Sequence, residues 1–280
     1  MIEPFLARDL VHQALNEDLL YGDQTTDALF QESFDAIGDA VAKEDMVVAG
    51  LDLFETVFKA LDPALQFEAA SSPGQRLKSG DLIARVSGDG RSILKGERTA
   101  LNFLQRLSGI ATLTRAFVSA VEGTRAQVVD TRKTTPGWRA LEKKAVRLGG
   151  GGNHRFHLGD MVLIKDNHIA LSGGIKKAVE KVRSAVGHPL KIEVEVGHIS
   201  ELHEALASQV EIIMLDNMTV DEIQTAVTVI REKDPNILIE VSGGVRLETV
   251  GAMARCGADL ISVGALTHSA RAMDISLEMS

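Results

Sequence analysis

The chain has 280 residues, 45% of them hydrophobic, enough to bury one large core or two moderate ones. Its single cysteine, Cys256, excludes an internal disulfide framework and suits the reducing cytoplasm, and no apolar run has the length of a membrane span or the character of a secretory leader. The formal charge of −9 argues against a nucleic-acid partner, yet between Asp130 and His168 eight Lys/Arg face four Asp/Glu, a basic island suited to a small anionic substrate.

Helical periodicity runs over 4–20, with Phe5, Leu6, Leu10, Ala14 and Leu15 near one face. Residues 22–30 (GDQTTDALF) read as a turn and cap region, 36–50 as short strands and 51–61 as a helix. The stretch 73–90 reads as strand segments broken by Gly and Pro. Its spacing G-x-x-L-x-x-G-D-x-I-A-x-V is similar to the hammerhead of biotin- and lipoate-carrying domains, but no carrier lysine sits in a hairpin tip beside it, so it reads as a compact β turn. Residues 92–123 form a long helical stretch, with Leu94, Leu101, Leu104 and Leu107 at helical steps and a break or kink expected at Ser108-Gly109. A domain boundary is expected nearby.

From Gln127 a rhythm begins. Short β-branched or leucine-rich runs recur at 127–130, 161–166, 191–196, 211–216, 237–244 and 259–264, with helical segments at 173–186, 199–208, 220–233 and 247–257. Strand and helix alternating in this way predict a parallel α/β sheet, and right-handed crossovers allow it to close into a barrel. Six strands are fewer than the eight of the common barrel, so a smaller or partly open barrel is expected, with a doubly wound open sheet as the alternative.

Each run changes character at its C-terminal end. The ends are Asp130-Thr131-Arg132-Lys133, Lys165-Asp166-Asn167-His168, Glu195, Asp216-Asn217, Ser242-Gly243-Gly244 and Gly264-Ala265. Strand ends meet solvent and turn polar anyway, but six in a row, with cations early and carboxylates and glycines late, predict a ligand site at the strand carboxyl ends. In KIEVEV, Lys191, Glu193 and Glu195 share one face, and glutamates turned inward require cationic or metal partners. The turns at 242–244 and 263–265, each between strand and helix, suit backbone binding of a phosphate. The glycine run 149–152 ends a helix and turns the chain so that His154 and Arg155 face the mouth. His157 reads as a surface histidine, His168 as structural, and His268 stands near enough to the last turn to reach a phosphate.

The stretch DTRKTTPGWRALEKKAVRLGGGGNHRFHLGDMVLIKDNHI (130–169) resembles the signature of the quinolinate phosphoribosyltransferase family. NEDLLYGDQTT (16–26), GERTALNFLQRLSGIAT (96–112), IEVEV (192–196), MLDN (214–217) and the segments within 241–277 resemble family segments in family order. The resemblance implies an N-terminal α/β sandwich (1–109, joined by 268–280) and an atypical open α/β barrel of six or seven parallel strands (110–267). It implies transfer of phosphoribosyl from phosphoribosyl pyrophosphate to quinolinate with loss of CO₂, giving nicotinate mononucleotide and pyrophosphate, with Mg²⁺. Thr131, Arg132, Lys133, His154, Arg155 and Lys165 would hold substrate, and arginine suits bidentate contacts to quinolinate's two carboxylates. Arg98 would enter the site of a neighbouring subunit in a dimer or larger homo-oligomer. Glu195 and Asp216 would serve the ribose and, through water, the metal, and with Lys133 and Lys165 form the catalytic set. Ser242, Gly243, Gly244, Val263, Gly264 and Ala265 would hold the 5′-phosphate. Two departures from the family pattern stand beside binding elements: Trp138, and Phe156-His157 where a glycine is common. The molybdenum-associated paralogue of this fold, or a non-catalytic phosphometabolite-binding protein, is the alternative function.

Overall fold

The structure, a computed structural model, describes residues 4–280, with side chains from residue 7 onward. Phe5 and Leu6 therefore lie outside the described side chains. The chain divides into two compact units: residues up to Arg115 with 135–150 and 269–280, and residues 116–134 with 151–268.

The first unit begins with α1 (Pro4–Leu19), which buries Val11 and Leu15. Residues 22–30 are not only a turn. They contain α2 (Gln24–Leu29), because the Asp23 carboxylate accepts from the backbone N–H groups of Thr25 and Thr26 at 3.1 and 3.0 Å. β1 (Asp35–Ala42) and β2 (Met46–Val47) follow. α3 (Leu51–Leu61) buries Leu51, Leu53, Phe54, Val57 and Phe58, a helical stripe. Next come β3 (Gln66–Ala69), β4 (Arg76–Leu77) and β5 (Leu82–Asp89). The strand β3 has no buried residue and no apolar alternation, which is why the sequence does not announce it.

The helix α4 (Gly90–Ala120) runs unbroken through Ser108-Gly109, contrary to the expected kink. Ser108 is buried and bonds outward: its hydroxyl accepts from the Ala49 N–H at 3.0 Å and donates to the Ala49 carbonyl at 3.2 Å. At Gly109 the chain segment carrying Arg271 presses so close that a Cβ would stand 1.8 Å from the Arg271 carbonyl oxygen. The glycine is there for close approach, not to end the helix.

After β6 (Gln127–Val129) the chain forms α5 (Arg139–Leu148). The linear reading gave this segment to the barrel, but it clusters with the first unit. Glu142, fully buried, pairs with Arg106 at 3.2 Å and accepts from the Thr135 N–H and hydroxyl. Trp138 stacks on Phe103 with centroids 4.9 Å apart. Those partners outweigh sequence neighbourhood.

The second unit continues with β7 (Val162–Ile164), α6 (Asp166–Ser172), α7 (Ile175–Ala185), β8 (Ile192–Val196), α8 (Ile199–Ala207), β9 (Ile212–Asp216), α9 (Val220–Lys233), β10 (Leu238–Ser242), α10 (Leu247–Arg255), β11 (Leu260–Ser262) and α11 (Ala265–His268). Its six strands pair in parallel in the order β6-β11-β10-β9-β8-β7. That order is sequential around a ring with one gap, between β6 and β7. It is the order of an open barrel; a doubly wound sheet would reverse direction at its middle. In register, Glu195 lies beside Met214 and Met214 beside Glu240, with Asp216 beside Ser242. These residues therefore share one face near the strand carboxyl ends. The last strand, β12 (Ile275–Met279), pairs antiparallel with β1, so the first unit's sheet runs β12-β1-β5-β3.

Candidate active site: a cationic cleft at the strand ends

A cleft of about 480 Å³ opens at the carboxyl ends of the parallel strands. Arg132, Lys133, Arg155 and Lys165 all line it. The buried Nε of Arg132 has no hydrogen-bond partner, so a donor there stands ready for a ligand. Burial, and then the nearby charge of Arg132, lower the proton affinity of Arg155. Glu193 and Asp160 offset this in part, and two guanidiniums held near each other favour an anion with more than one charged oxygen.

The glycine run is what places this pair. α5 ends at Leu148, and Gly149 packs so closely that a Cβ would meet the Ala111 carbonyl oxygen at 2.5 Å. Gly150 takes φ +94° and turns the chain. Gly152 then runs beside β6 in a parallel bridge with Val129. Beyond it, the buried Asp130 accepts from Asn153 Nδ2 at 2.6 Å and from the His154 N–H at 2.9 Å. The Arg155 guanidinium donates to the Met161 carbonyl at 3.0 Å.

The opposite wall is acidic. Lys165 Nζ stands 3.0 Å from Glu195 Oε2, so the inward glutamate found its cation. Asp216 Oδ2 accepts from Asn217 Nδ2 at 2.6 Å. Each carboxylate keeps an oxygen outside these bonds, and both line the cleft. This hard-oxygen pair fits Mg²⁺, which prefers oxygen and retains several waters. At the end of β10, Gly243 takes φ +86°, and a Cβ there would lie 2.3 Å from Asn217 Oδ1. With Gly244 at φ +59°, this turn exposes backbone at the cleft edge beside Ser242.

The inward Glu193 and His154 meet a third residue, Glu240, that the sequence did not single out. His154 Nε2 is 3.3 Å from Glu193 Oε2 and 3.5 Å from Glu240 Oε2, and both glutamates are buried. Burial first, and then the neighbouring Glu193, push the Glu240 carboxyl up to about 8, with His154 and a Ser262 hydrogen bond pulling partly back. The unfolded carboxyl has its ordinary value of 4.5. The folded state therefore binds this proton more tightly, and its stabilising contribution is complete below about pH 4.5 and lost as pH rises through about 8. Glu240→Gln needs no proton and is expected to flatten that decline. Urea midpoints at about pH 5 and about pH 8.5 measure it; equal slopes in variant and parent would assign the dependence elsewhere.

Thr131, Arg132, Lys133, His154, Arg155, Lys165, Glu195, Asp216, Ser242, Gly243 and Gly244 all line the one cleft. Thr131 accepts the Lys133 N–H at 3.0 Å and so shapes the turn. Val263 is buried and spends its N–H on the Val129 carbonyl, so it offers no donor to a phosphate. Gly264 and Ala265 do not line the cleft; a Cβ at Gly264 would stand 3.1 Å from both Lys133 Cδ and His268 Nε2. Arg98 belongs to the first unit, exposed beside a separate depression shared with Glu17, Asp18, Asn102 and Trp138. His168 accepts the Lys165 N–H through Nδ1 at 3.0 Å and caps α6, and His157 lies exposed. Asn217, one of the strand-end residues, lines the cleft as expected, and the sequence did not single out Leu163, Met214, Glu240 and Ser262 for it. Alternation from Glu195 and Ser242 would have found Glu240, two residues before the strand end.

Residues 23–108 match the family description "Quinolinate phosphoribosyl transferase, N-terminal domain" and residues 110–278 its "C-terminal domain". A protein of Synechocystis sp. named "Probable nicotinate-nucleotide pyrophosphorylase [carboxylating]" is 45% identical over 281 residues, covering 100% of this chain and 92% of its own. A Mycobacterium leprae protein named "Nicotinate-nucleotide pyrophosphorylase [carboxylating]" is 44% identical, covering 98% and 97%. The solved nicotinate-nucleotide pyrophosphorylase of Francisella tularensis superposes with a TM-score of 0.95 at 39% identity, covering 100% of this chain and 98% of that one.

Proposed function

The chain belongs to the quinolinate phosphoribosyltransferase family, and from that membership we infer its activity: it is a carboxylating nicotinate-nucleotide pyrophosphorylase. It transfers phosphoribosyl from phosphoribosyl pyrophosphate to quinolinate in NAD biosynthesis, releasing pyrophosphate and CO₂ and forming nicotinate mononucleotide. The observation that carries this reading is the Arg132–Arg155 pair facing a cleft whose other wall holds Glu195, Asp216 and the Ser242-Gly243-Gly244 turn.

The division of labour follows from charge. Quinolinate carries two adjacent carboxylates, which Arg132 and Arg155 can grip while Lys133 and Lys165 add positive potential. The glycine turn, open at backbone level, suits the 5′-phosphate. Departure of pyrophosphate leaves positive charge on the ribose, which Glu195 and Asp216 would stabilise. The pyridine nitrogen then attacks the ribose carbon. The ring becomes a pyridinium, which draws in the electron pair of the adjacent C–C bond as CO₂ leaves, and the carbanion left at C2 takes a proton from water to give nicotinate mononucleotide. None of these side chains needs to form a covalent bond; their contribution is a field fixed before reaction, on the order of 3 kcal/mol of barrier per contact. Bound at Glu195 and Asp216, Mg²⁺ would neutralise charge on the pyrophosphate.

Among the described residues no helix is long and apolar enough to cross a membrane. With the single cysteine, which is buried and unbridged, this favours the cytoplasm as its compartment. Arg98, exposed and absent from the lining of its own chain's cleft, is proposed to complete the cleft of a second copy in a homodimer or larger assembly.

Turnover tests the reading. CO₂ release from carboxyl-labelled quinolinate is expected only when phosphoribosyl pyrophosphate is present, to stop on chelation and to return with Mg²⁺. Binding of phosphoribosyl pyrophosphate without CO₂ release would instead describe a phosphometabolite-binding protein, and full turnover under chelation would remove the metal.

A further inference from the structure

The cluster beneath the cleft has no assignment in the reaction above. Glu193 lies on β8 and Glu240 on β10, with β9 between them. Two strand spacings separate such residues by about 9.5 Å in a flat sheet. One imidazole nevertheless stands within 3.5 Å of both carboxylates. The other ring nitrogen is engaged as well: His154 Nδ1 accepts the Arg155 backbone N–H at 2.8 Å. A nitrogen that accepts carries no proton, so Nε2 bears the hydrogen, and Glu193 and Glu240 are the acids that stand within 3.5 Å of it. Both ring nitrogens thus face protein groups.

A chain of restraints leads to Arg155. Asp130 holds the backbone of His154, the glutamates hold its ring, the ring holds the Arg155 N–H, and the Met161 carbonyl holds the guanidinium. Three oxygens of the two glutamates, both of Glu193 and one of Glu240, are buried without a hydrogen-bond partner. Buried acceptors of this kind are costly and need a function.

We propose that Glu193 and Glu240 are positioning residues whose carboxyl groups, within 3.5 Å of Nε2, orient the His154 ring by electrostatic attraction, so that His154 sets the Arg155 backbone and guanidinium for quinolinate without itself contacting the substrate carboxylates. This rests on the function inferred above and departs from the expectation that His154 is one of the gripping cations. It makes the pair a determinant of dicarboxylate affinity.

The test has two arms. In kinetics, Glu240→Gln and Glu193→Gln are expected to raise the quinolinate KM about tenfold, leaving kcat and the phosphoribosyl pyrophosphate KM within about threefold. In an Arg155→Ala background the same substitutions should add almost nothing, because the effect passes through Arg155. Costs that multiply in the double variants, or a loss confined to kcat, overturn the proposal. The second arm reads the ¹⁵N shifts of the imidazoles in the unmodified protein at constant pH, with the His154 signal identified by its loss in His154→Gln. The expected pattern is a bare Nδ1 and a protonated Nε2, unchanged when quinolinate saturates the site; a doubly protonated ring, or a swap on binding, overturns it. This arm needs no turnover, so a chain that fails to convert quinolinate would sink the inferred function and still leave the His154 geometry judged.

Discussion

Replacing Arg132 with alanine is expected to lower kcat/KM for quinolinate by about 100-fold or more while the KM for phosphoribosyl pyrophosphate stays within about threefold. A partly buried guanidinium with an uncommitted Nε is the natural partner of a carboxylate, and a charge-assisted bidentate contact of about 3 kcal/mol corresponds to about two powers of ten. The loss should be larger than the contact alone suggests, because Arg155 would then meet the dianion unaided. Arg132→Lys should recover only a small part, since an ammonium supplies charge but not the planar fork. Initial-rate measurements with each substrate varied in turn decide the matter. Equal losses for both substrates would move Arg132 to the phosphate side of the cleft.

The second large effect is expected at Glu195. Glu195→Gln keeps the volume and removes the charge, and kcat should fall by about 100- to 1000-fold, the scale on which loss of one preorganised electrostatic contact is felt. The quinolinate KM should not rise. Lys165 Nζ is 3.0 Å from Glu195 Oε2, and loss of that negative partner leaves the ammonium freer to meet a carboxylate. A falling kcat with a steady or falling KM is the mark of an interaction made in the transition state. A raised quinolinate KM with kcat intact would instead make Glu195 a ground-state orienter of Lys165.

The sequence carried much of the second unit because its signals are local. Parallel strands covered on both faces read as short apolar runs, and β8, β9 and β10 lie within the stretches that periodicity selects. Their polar ends converge because the topology demands it, so Arg132, Lys165, Glu195 and Asp216 reach one cleft from the carboxyl ends of four strands. The failures have the opposite character. Gly109 looked like a helix break, but its reason is a backbone more than 160 positions away in sequence, at Arg271. The segment 135–150 sits between two barrel strands in sequence, yet Glu142 and Trp138 find their partners on α4 at Arg106 and Phe103. The Val263 N–H is bonded to the Val129 carbonyl, a partner that lies more than 130 positions away in sequence. Glu193 was placed on the inward face, but nothing local reveals that Glu240 joins it across β9 on one imidazole. Pairings of this kind are set by sheet curvature, which a one-dimensional pattern does not record.

The account stands on a grip designed for two carboxylates on one ring. Calorimetric titration of the protein with pyridine-2,3-dicarboxylate and with pyridine-3-carboxylate isolates that claim, because the two ligands differ only in the carboxylate beside the ring nitrogen. The dicarboxylate is expected to bind about 100-fold more tightly or better, a difference of about 2.7 kcal/mol or more. Equal affinities would contradict the account, since Arg132 and Arg155 would then not be reading the second carboxylate.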